Sequence, residues 1–238
     1  MINKMDTKNN DLSQRKAATA LRFLYLIWAI IGIFSLMYVP TKLIVFGDVV
    51  ATAKNIMGNE LLFRAGIVGS LITQLIFIFT VLFLYKLFKG VNKNQSILMV
   101  IFALVSVPIA MFNTLNKIAA VMLLNGAGYL KEFSTEQLYS LVMFFLNLNV
   151  QGQIIASIFW GLWLFPLGYL IYKSGYFPKF VGVAVIIGGI GYTIDSFIKF
   201  ILPSFNIASV TDVLIMGEMV FVLWIIVRGA KLPEMKNE

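Results

Sequence analysis

The sequence predicts an all-α protein, an integral membrane bundle of six transmembrane helices with short amphipathic helices in the outer loops. Two observations lead to this fold class. Of 238 residues, 60% are hydrophobic and only 13% are charged, and apolar runs reach the length of about 20 residues that a helix needs to cross a bilayer core. Basic residues gather in alternate connections, as expected when those connections stay in the cytoplasm.

The absence of cysteine and histidine restricts the chemistry. It excludes thiolate nucleophiles, disulfides, thiolate metal sites, haem held by imidazole, and histidine-dependent hydrolases or zinc proteases. We expect no metal, no cofactor and no catalytic residues. The net charge of +8 is typical of cytoplasmic loops in a membrane protein, so we expect no nucleic-acid partner.

The amino-terminal segment, residues 1–19, is basic and resembles the positively charged region of a signal peptide. The apolar run that follows, residues 23–39, is long for a signal peptide and has no small-x-small cleavage signal. We therefore expect a retained first span, preceded by a cytoplasmic segment.

The six predicted spans belong to one transmembrane domain, residues 20–230, which is followed by a cytoplasmic tail, residues 231–238. Inner connections such as "KGVNKNQ" and "KSGYFPK" are short, so the spans they join should be antiparallel neighbours. The spans cover about residues 21–39, 64–87, 96–117, 153–172, 180–201 and 213–227.

The distribution of basic residues predicts the orientation. With both termini in the cytoplasm, most of the 19 basic residues fall on the cytoplasmic side, which agrees with an even number of spans in a bacterial cytoplasmic (inner) membrane. These residues are Lys4, Lys8, Arg15, Lys16, Arg22, Lys86, Lys89, Lys93, Lys173, Lys179, Arg228, Lys231 and Lys236.

The first long outer loop predicts a short helix on the membrane surface. Asp48 can cap its start and Gly58 can end it. Its apolar face should contain Val49, Val50, Ala53, Ile56 and Met57.

The second long outer loop predicts another apolar helix. Ser134 followed by Gln137 has the form of a capping box, and the helix should continue to about Val150. This segment is too short to span a bilayer. It could be interfacial, re-entrant, or an outer extension of the fourth span with a bend at Gly152.

A polar group interrupts the apolar third span in the stretch "MFNTLNKIAA". Asn113, Asn116 and Lys117 stand at i, i+3 and i+4, so they share one helix face. Counted from the inner end, they belong to the outer quarter of the bilayer. The lysine can extend outward as a boundary anchor, whereas asparagines in such positions are typical of interhelical hydrogen bonds.

Charged residues deep in the spans should face the bundle interior and have partners. Asp195 can pair with Lys199 one turn later in its own helix. Glu218 has no such local partner. It should pair with Arg64 or Lys117, bond to the asparagines, or stay protonated in an apolar surrounding.

Together these residues form a predicted polar cluster. Two interpretations remain open for it: a site for a small-molecule ligand, an ion or a proton, or hydrogen bonds that only hold the helices together. Its members are Arg64, Gln74, Asn113, Asn116, Lys117, Gln153, Asp195 and Glu218.

Six stretches in order resemble the signature regions of a known family. They are "GIFSLMYVPTKLIVFGD", "LFRAGIVGSLITQ", "VPIAMFNTLN", "FWGLWLFPLGYLIYKSGYFPKFVGV", "IGGIGYTIDSF" and "GEMVFVLWIIVRG". The resemblance is to the domain of unknown function 4386 family, a group of prokaryotic polytopic membrane proteins, and it covers about residues 18–231. It implies an intact polytopic protein of the cytoplasmic membrane, and it supplies no activity, substrate or catalytic residue.

Three functions compete. The first is a small transporter-like protein with an outward-facing polar cavity formed by the polar cluster. The alternative is a non-enzymatic membrane accessory, sensor or stress-related factor in which the cluster is structural. An intramembrane enzyme is the weakest hypothesis, because aspartate-rich metal motifs and nucleophile-base pairs are missing. The expected partners are the lipid bilayer and a small-molecule or ion ligand.

Overall fold

Helices make up every regular element in the part of the chain that the structure, a computed structural model, describes. It describes residues 2–202 and 208–233, and their side chains in 12–202 and 210–233. The side chains of Lys4 and Lys8, together with Lys236 and the end of the predicted tail, lie outside the described residues.

In the described ranges nine α-helices follow one another, with a π-helical segment and a short 3-10 turn between some of them. The π-helical segment Ile33–Tyr38 follows α1 directly, and the 3-10 turn Gly128–Leu130 precedes α7. The helices are α1 (Ile2–Gly32), α2 (Val39–Leu43), α3 (Val49–Gly58), α4 (Glu60–Phe88), α5 (Lys93–Asn113), α6 (Leu115–Leu124), α7 (Thr135–Ser174), α8 (Lys179–Ile201) and α9 (Ala208–Val227).

Six helical stretches among the described residues are long and apolar enough to cross a bilayer, which confirms the predicted number of spans. Two of them combine consecutive elements: α1 with the π segment and α2, and α5 with α6. The stretches are Leu12–Leu43, Glu60–Phe88, Lys93–Leu124, Thr135–Ser174, Lys179–Ile201 and Val210–Val227.

The short outer helix predicted after Asp48 is α3. The Asp48 carboxylate accepts a hydrogen bond from the amide N–H of Ala51 at 2.8 Å, which satisfies one of the free N–H groups at a helix start. Ala53 is buried, as expected, but Val50 and Met57 of the predicted apolar face are exposed. The prediction of the helix is therefore confirmed, whereas its buried face is narrower than the pattern indicated.

The second outer segment is the first part of α7. The capping box is present, because the amide N–H of Ser134 donates to Gln137 Oε1 at 2.8 Å and the N–H of Gln137 donates to Ser134 Oγ at 3.4 Å. The 40 residues of α7 would measure about 60 Å, roughly twice the hydrocarbon thickness. The structure thus selects the extension of the fourth span, and the helix continues through Gly152.

The chain divides into two compact units. The first unit contains Met1–Ile27, Phe77–Ser106 and Ser157–Glu238, and the second contains Trp28–Ile76 and Val107–Ala156. Each unit has its own closely packed helix pairs.

In the first unit, α8 and α9 approach each other through glycine. A Cβ atom at Gly217 would lie 2.0 Å from the carbonyl oxygen of Ala184, and one at Gly191 would lie 2.6 Å from Leu214 Cβ. Only a residue without a side chain permits this separation, which is the usual means of close packing between helices in a bilayer.

A second glycine contact joins α7 to α8 in the same unit. A Cβ atom at Gly168 would lie 2.7 Å from the carbonyl oxygen of Gly182, and one at Gly189 would lie 2.9 Å from that of Gly161. Since α8 uses different glycines toward α7 and α9, it approaches both helices closely.

In the second unit, the end of the first span packs on α4. A Cβ atom at Gly69 would lie 2.9 Å from Ser35 Cβ, and one at Gly66 would lie 2.8 Å from Val39 Cγ1. Ser35 lies in the π-helical segment and donates its hydroxyl hydrogen to the carbonyl oxygen of Ile31 at 2.7 Å. Its polar atom is thus satisfied inside its own helix.

The glycine contact between α8 and α9 makes a direct prediction. Gly217→Ala should lower the stability of the detergent-solubilised protein by at least about 2 kcal/mol, because the added methyl group meets a backbone oxygen that cannot rotate away. Thermal unfolding followed by circular dichroism measures the change.

Gly32→Ala is the matched control, because a Cβ atom there meets nothing within 4 Å. Its effect should stay within about 1 kcal/mol, the difference in helix propensity between the two residues. Equal melting temperatures for both variants would contradict the close approach of α8 and α9.

Candidate functional site

Polar side chains from three spans meet in the second unit. We call this group the Lys117 cluster. All its members are buried or half-buried. Hydrogen bonds connect the four amide side chains with one another, and a separate contact connects Lys117 with Ser70. The cluster consists of Ser70, Asn113, Asn116, Lys117, Asn149 and Gln153.

Two asparagines bind each other's backbone across α5 and α7. The side-chain amide of Asn113 donates to the carbonyl oxygen of Asn149 at 2.7 Å, and the amide of Asn149 donates to the carbonyl oxygen of Asn113 at 3.0 Å. A Cβ atom at Gly152 would lie 2.1 Å from Asn113 Oδ1, so this glycine makes room for the pair. The predicted interhelical role of Asn113 is therefore confirmed.

An interruption of the helix makes this reciprocal pair possible. α5 ends at Asn113, and the amide N–H of Lys117 donates to the carbonyl oxygen of Thr114 at 3.0 Å. In a regular α-helix that N–H would bind the carbonyl of Asn113. The freed carbonyl instead accepts from the side-chain amides of Asn149 and Asn116, at 3.0 and 3.2 Å.

The remaining amides extend the network. Asn116 also donates to Asn113 Oδ1 at 2.9 Å, and Gln153 donates to Asn149 Oδ1 at 3.5 Å. Asn113, Asn116 and Gln153 of the predicted polar cluster are thus brought together through Asn149. Because α6 begins one residue after Thr114, Asn116 and Lys117 lie in a new helix.

Lys117 is the charged member of the cluster and is only 7% exposed. Its ammonium lies 3.5 Å from the hydroxyl oxygen of Ser70 on α4. Within the described ranges, the ion pairs are Arg64 with Glu60 and Lys199 with Asp195, so no carboxylate neutralises Lys117 there. The expectation that this lysine extends outward as a boundary anchor is wrong.

Gln74 follows Ser70 by one helical turn on α4, so both residues lie on the same side of that helix. The Gln74 side-chain oxygen is buried and has no hydrogen-bond partner in the described part of the chain. A buried acceptor without a donor is rare in proteins and is expected to have a partner that is a ligand or a water molecule.

Arg64 does not lie in an interior site. Its side chain is 51% exposed and donates to Glu60 Oε1 at 2.7 Å, one turn earlier in α4. Glu60 also accepts a hydrogen bond from Asn125 at 3.2 Å. Of the alternatives for Glu218, a pair with Arg64 is wrong, because Glu60 provides Arg64 with an acidic partner at i−4 in its own helix.

In the first unit, Asp195 is held by two partners. Lys199 donates to Asp195 Oδ2 at 2.6 Å, and the hydroxyl of Thr211 donates to Asp195 Oδ1 at 2.9 Å. The predicted pair within α8 is confirmed. Thr211 adds a link from α9, so the carboxylate also connects two helices.

Glu218 is buried in the same unit, next to the glycine contact between α8 and α9. A Cβ atom at Gly188 would lie 3.1 Å from the backbone nitrogen of Glu218. The carboxylate is hydrogen-bonded to the hydroxyl of Tyr192 and also interacts electrostatically with Tyr25 of α1. Neither tyrosine is among the partners that the sequence suggested.

The eight predicted site residues are therefore divided between the two units. Ser70 and Asn149 were not among the members of the predicted polar cluster. Both stand four residues from a predicted member, which is the signal that could have included them. The second unit holds Arg64, Gln74, Asn113, Asn116, Lys117 and Gln153, and the first holds Asp195 and Glu218.

Six membrane-length apolar helices with buried polar groups define the chain as a multi-pass helical membrane protein. It belongs to the family described as Domain of unknown function (DUF4386), which matches residues 23–229. A protein of Archaeoglobus fulgidus described as uncharacterized is 31% identical over 168 residues, which are 71% of this chain and 86% of that relative. No solved structure matches the chain significantly.

The reciprocal pair of Asn113 and Asn149 predicts that substitutions at Asn149 and at nearby Asn147 differ in their effect on stability. Asn149→Ala should lower stability by about 1–2 kcal/mol, because it removes one interhelical bond and deprives the carbonyl of Asn113 of a donor. Thermal unfolding in detergent measures the loss.

Asn147 lies two residues earlier on α7 and is exposed, so Asn147→Ala is the control. Its effect should be within about 0.5 kcal/mol. If both substitutions cost the same, the pair does not stabilise the second unit.

Proposed function

We propose that the protein is a small transporter-type membrane protein that binds an anionic solute at Lys117. The observation that carries this proposal is a buried ammonium group without a carboxylate partner among the described residues. A charge inside a membrane span costs about 2.5 to 3.5 kcal/mol on insertion scales, so such residues are usually retained for function.

The surroundings of Lys117 stabilise a charge without neutralising it. Ser70, its hydrogen-bond partner, contributes a neutral hydroxyl. An entering anion would supply the missing negative charge, and its attraction to the ammonium would be strong because little water screens the two groups. A carboxylate has the charge and the hydrogen-bond acceptors that this position lacks.

Gln74 narrows the class of solute. Gln74 follows Ser70, which contacts Lys117, by one turn, or about 6 Å along the axis of α4. Its side-chain oxygen has no hydrogen-bond partner among the described residues. This oxygen needs a hydrogen-bond donor. A small carboxylate that also carries a hydroxyl or amino group would satisfy both residues.

Buried ionisable residues in the first unit agree with a transport function. Glu218 is 8% exposed and is held by a neutral tyrosine. Carboxylates in spans that have neutral partners are typical of proton and ion pathways. We propose Glu218 as the residue that carries a proton during transport.

The alternative is a non-enzymatic accessory or sensor protein in which polar residues only hold the helices. The reciprocal bonds between Asn113 and Asn149 favour it, since both amides are used between helices. This alternative leaves the burial of Lys117 without a role, and for that reason we prefer solute binding.

We further propose the cytoplasmic membrane as the location, with both termini in the cytoplasm. The support is the charge distribution: the segments before the first span, between the second and third, between the fourth and fifth, and after the sixth are rich in lysine and arginine. Basic connections of this kind are retained on the cytoplasmic side during insertion.

The test is Lys117→Met, which keeps the length of the side chain and removes its charge. The variant should be more stable than the wild type by about 1–3 kcal/mol, because the cost of burying the charge disappears. The wild type should take up radiolabelled lactate into proteoliposomes, and the variant should lose this uptake. A melting-temperature shift caused by lactate measures binding independently of transport.

Lys54→Met is the matched control, since Lys54 is exposed on α3 in the same unit. It should change neither stability nor binding. The proposal fails if Lys117→Met is destabilised, or if a panel of small carboxylates stabilises the wild type and Lys117→Met to the same extent. The accessory alternative predicts no carboxylate effect on either protein.

A further inference from the structure

The first unit contains a cleft that is lined by two lysines. The cleft, of about 380 Å³, is formed between residues 12–16 of α1 and the last turns of α4. None of the described residues that line it belongs to the Lys117 cluster. Its lining residues are Leu12, Ser13, Lys16, Phe83 and Lys86.

The lining combines positive charge with apolar surface. Lys16 and Lys86 contribute two ammonium groups, and none of the described side chains that line the cleft is acidic. Among the side chains that the structure describes, neither lysine forms an ion pair. Lys86 Nζ lies 5.0 Å from the centroid of the Phe83 ring, so its ammonium is held above an aromatic face.

The neighbouring polar residues of α1 already have structural partners. Arg22 donates to the carbonyl oxygens of Ile226 at 3.0 Å and Val227 at 3.2 Å, which are unpaired groups at the end of α9. Gln14 donates to the carbonyl oxygen of Leu87 near the end of α4 at 3.3 Å. These bonds attach α1 to two helix ends and leave Lys16 beside the cleft.

The position of the cleft along α4 corresponds to the border between headgroups and acyl chains. Lys86 is in the last turn of α4, and the apolar side chains Leu82 and Phe79 are exposed one and two turns deeper. Lysines at span ends lie at the level of the lipid headgroups, whereas exposed apolar residues further in contact acyl chains. On α4, the lysine at the cleft and the exposed apolar residues therefore follow one another in the same order as the headgroup and the acyl chains of a phospholipid.

We propose that this cleft binds the phosphate group of an anionic phospholipid, with Lys16 and Lys86 on the phosphate and Phe83 along the acyl chain. Ser13 can donate a hydrogen bond to the same phosphate. Free phosphate shares the headgroup chemistry, but it would leave the apolar side of the cleft without a partner. Basic pockets between membrane helices are known to select anionic headgroups.

The experiment compares charge-matched double variants of the full-length protein. Phosphatidylglycerol is added to the protein in neutral detergent, and melting temperature and lipid retention in native mass spectrometry are recorded. Phosphatidylcholine and inorganic phosphate are the comparison probes. The variants are Lys16→Gln with Lys86→Gln, and Lys89→Gln with Lys93→Gln as a control that lowers the charge equally near the same end of α4.

Phosphatidylglycerol should raise the melting temperature of the wild type by roughly 3 °C more than phosphatidylcholine does. The cleft variant should bind it at least about tenfold more weakly, since each lysine near an anionic headgroup contributes roughly fivefold. The control variant and Lys16→Arg with Lys86→Arg should retain the wild-type response. The arginine variant also shows whether the position tolerates substitution, should the glutamine variant fail to fold.

Three results would overturn the proposal. Equal losses in both glutamine variants would mean that general surface charge attracts the lipid. An equal response to phosphatidylcholine would mean that the phosphate charge is not recognised. The third result is a rise in melting temperature that inorganic phosphate causes, that depends on Lys16 and Lys86, and with which phosphatidylglycerol does not compete. That result would assign the cleft to a soluble phosphate.

Discussion

Hydrogen bonding without water is the constraint on which this structure depends. In the hydrocarbon core each backbone and side-chain polar group must find a partner within the protein. The helices satisfy the backbone, and hydroxyls such as that of Ser35 donate to their own helix. Where the helix is interrupted after Asn113, the freed carbonyl is satisfied by side-chain amides from the cluster. The interruption and the amides are therefore one structural feature.

The same constraint separates two kinds of polar residue in the spans. Asn113, Asn149 and Asp195 have partners that account for them, and they join neighbouring helices. Lys117 and the oxygen of Gln74 are not accounted for in this way among the described residues. Polar atoms that a folded protein leaves unsatisfied are the ones that a solute can satisfy, and this difference directs attention to Lys117.

The sequence predicted the features that depend on local spacing. The six spans follow from apolar length, the capping boxes from residues three apart, and the pair of Asp195 with Lys199 from a spacing of four. The pair of Arg64 with Glu60 has the same spacing and was equally accessible. Because Glu60 precedes the predicted start of the second span, the pair lies at the outer end of α4 and not in the bundle interior.

Features that depend on neighbouring helices could not be predicted in this way. Lys117 is buried beside Ser70 of α4, in a helix that restarts at Leu115. The predicted depth of Lys117 in the bilayer holds only for one regular helix from the inner end of the third span. The partner of Glu218 is set by the alignment of α8 with α9, which the contact at Gly217 determines. Patterns within one helix contain no information about that alignment.

The central claim is that Lys117 is a charged group that an anion can reach. Because the chain has no cysteine, Asn116→Cys would place a single thiol beside Lys117. A negatively charged methanethiosulfonate should modify it at least about fivefold faster than a positively charged reagent of similar size, and adding Lys117→Met should abolish the preference. A thiol that neither reagent modifies, or that both modify at the same rate with Lys117 present, would contradict the claim.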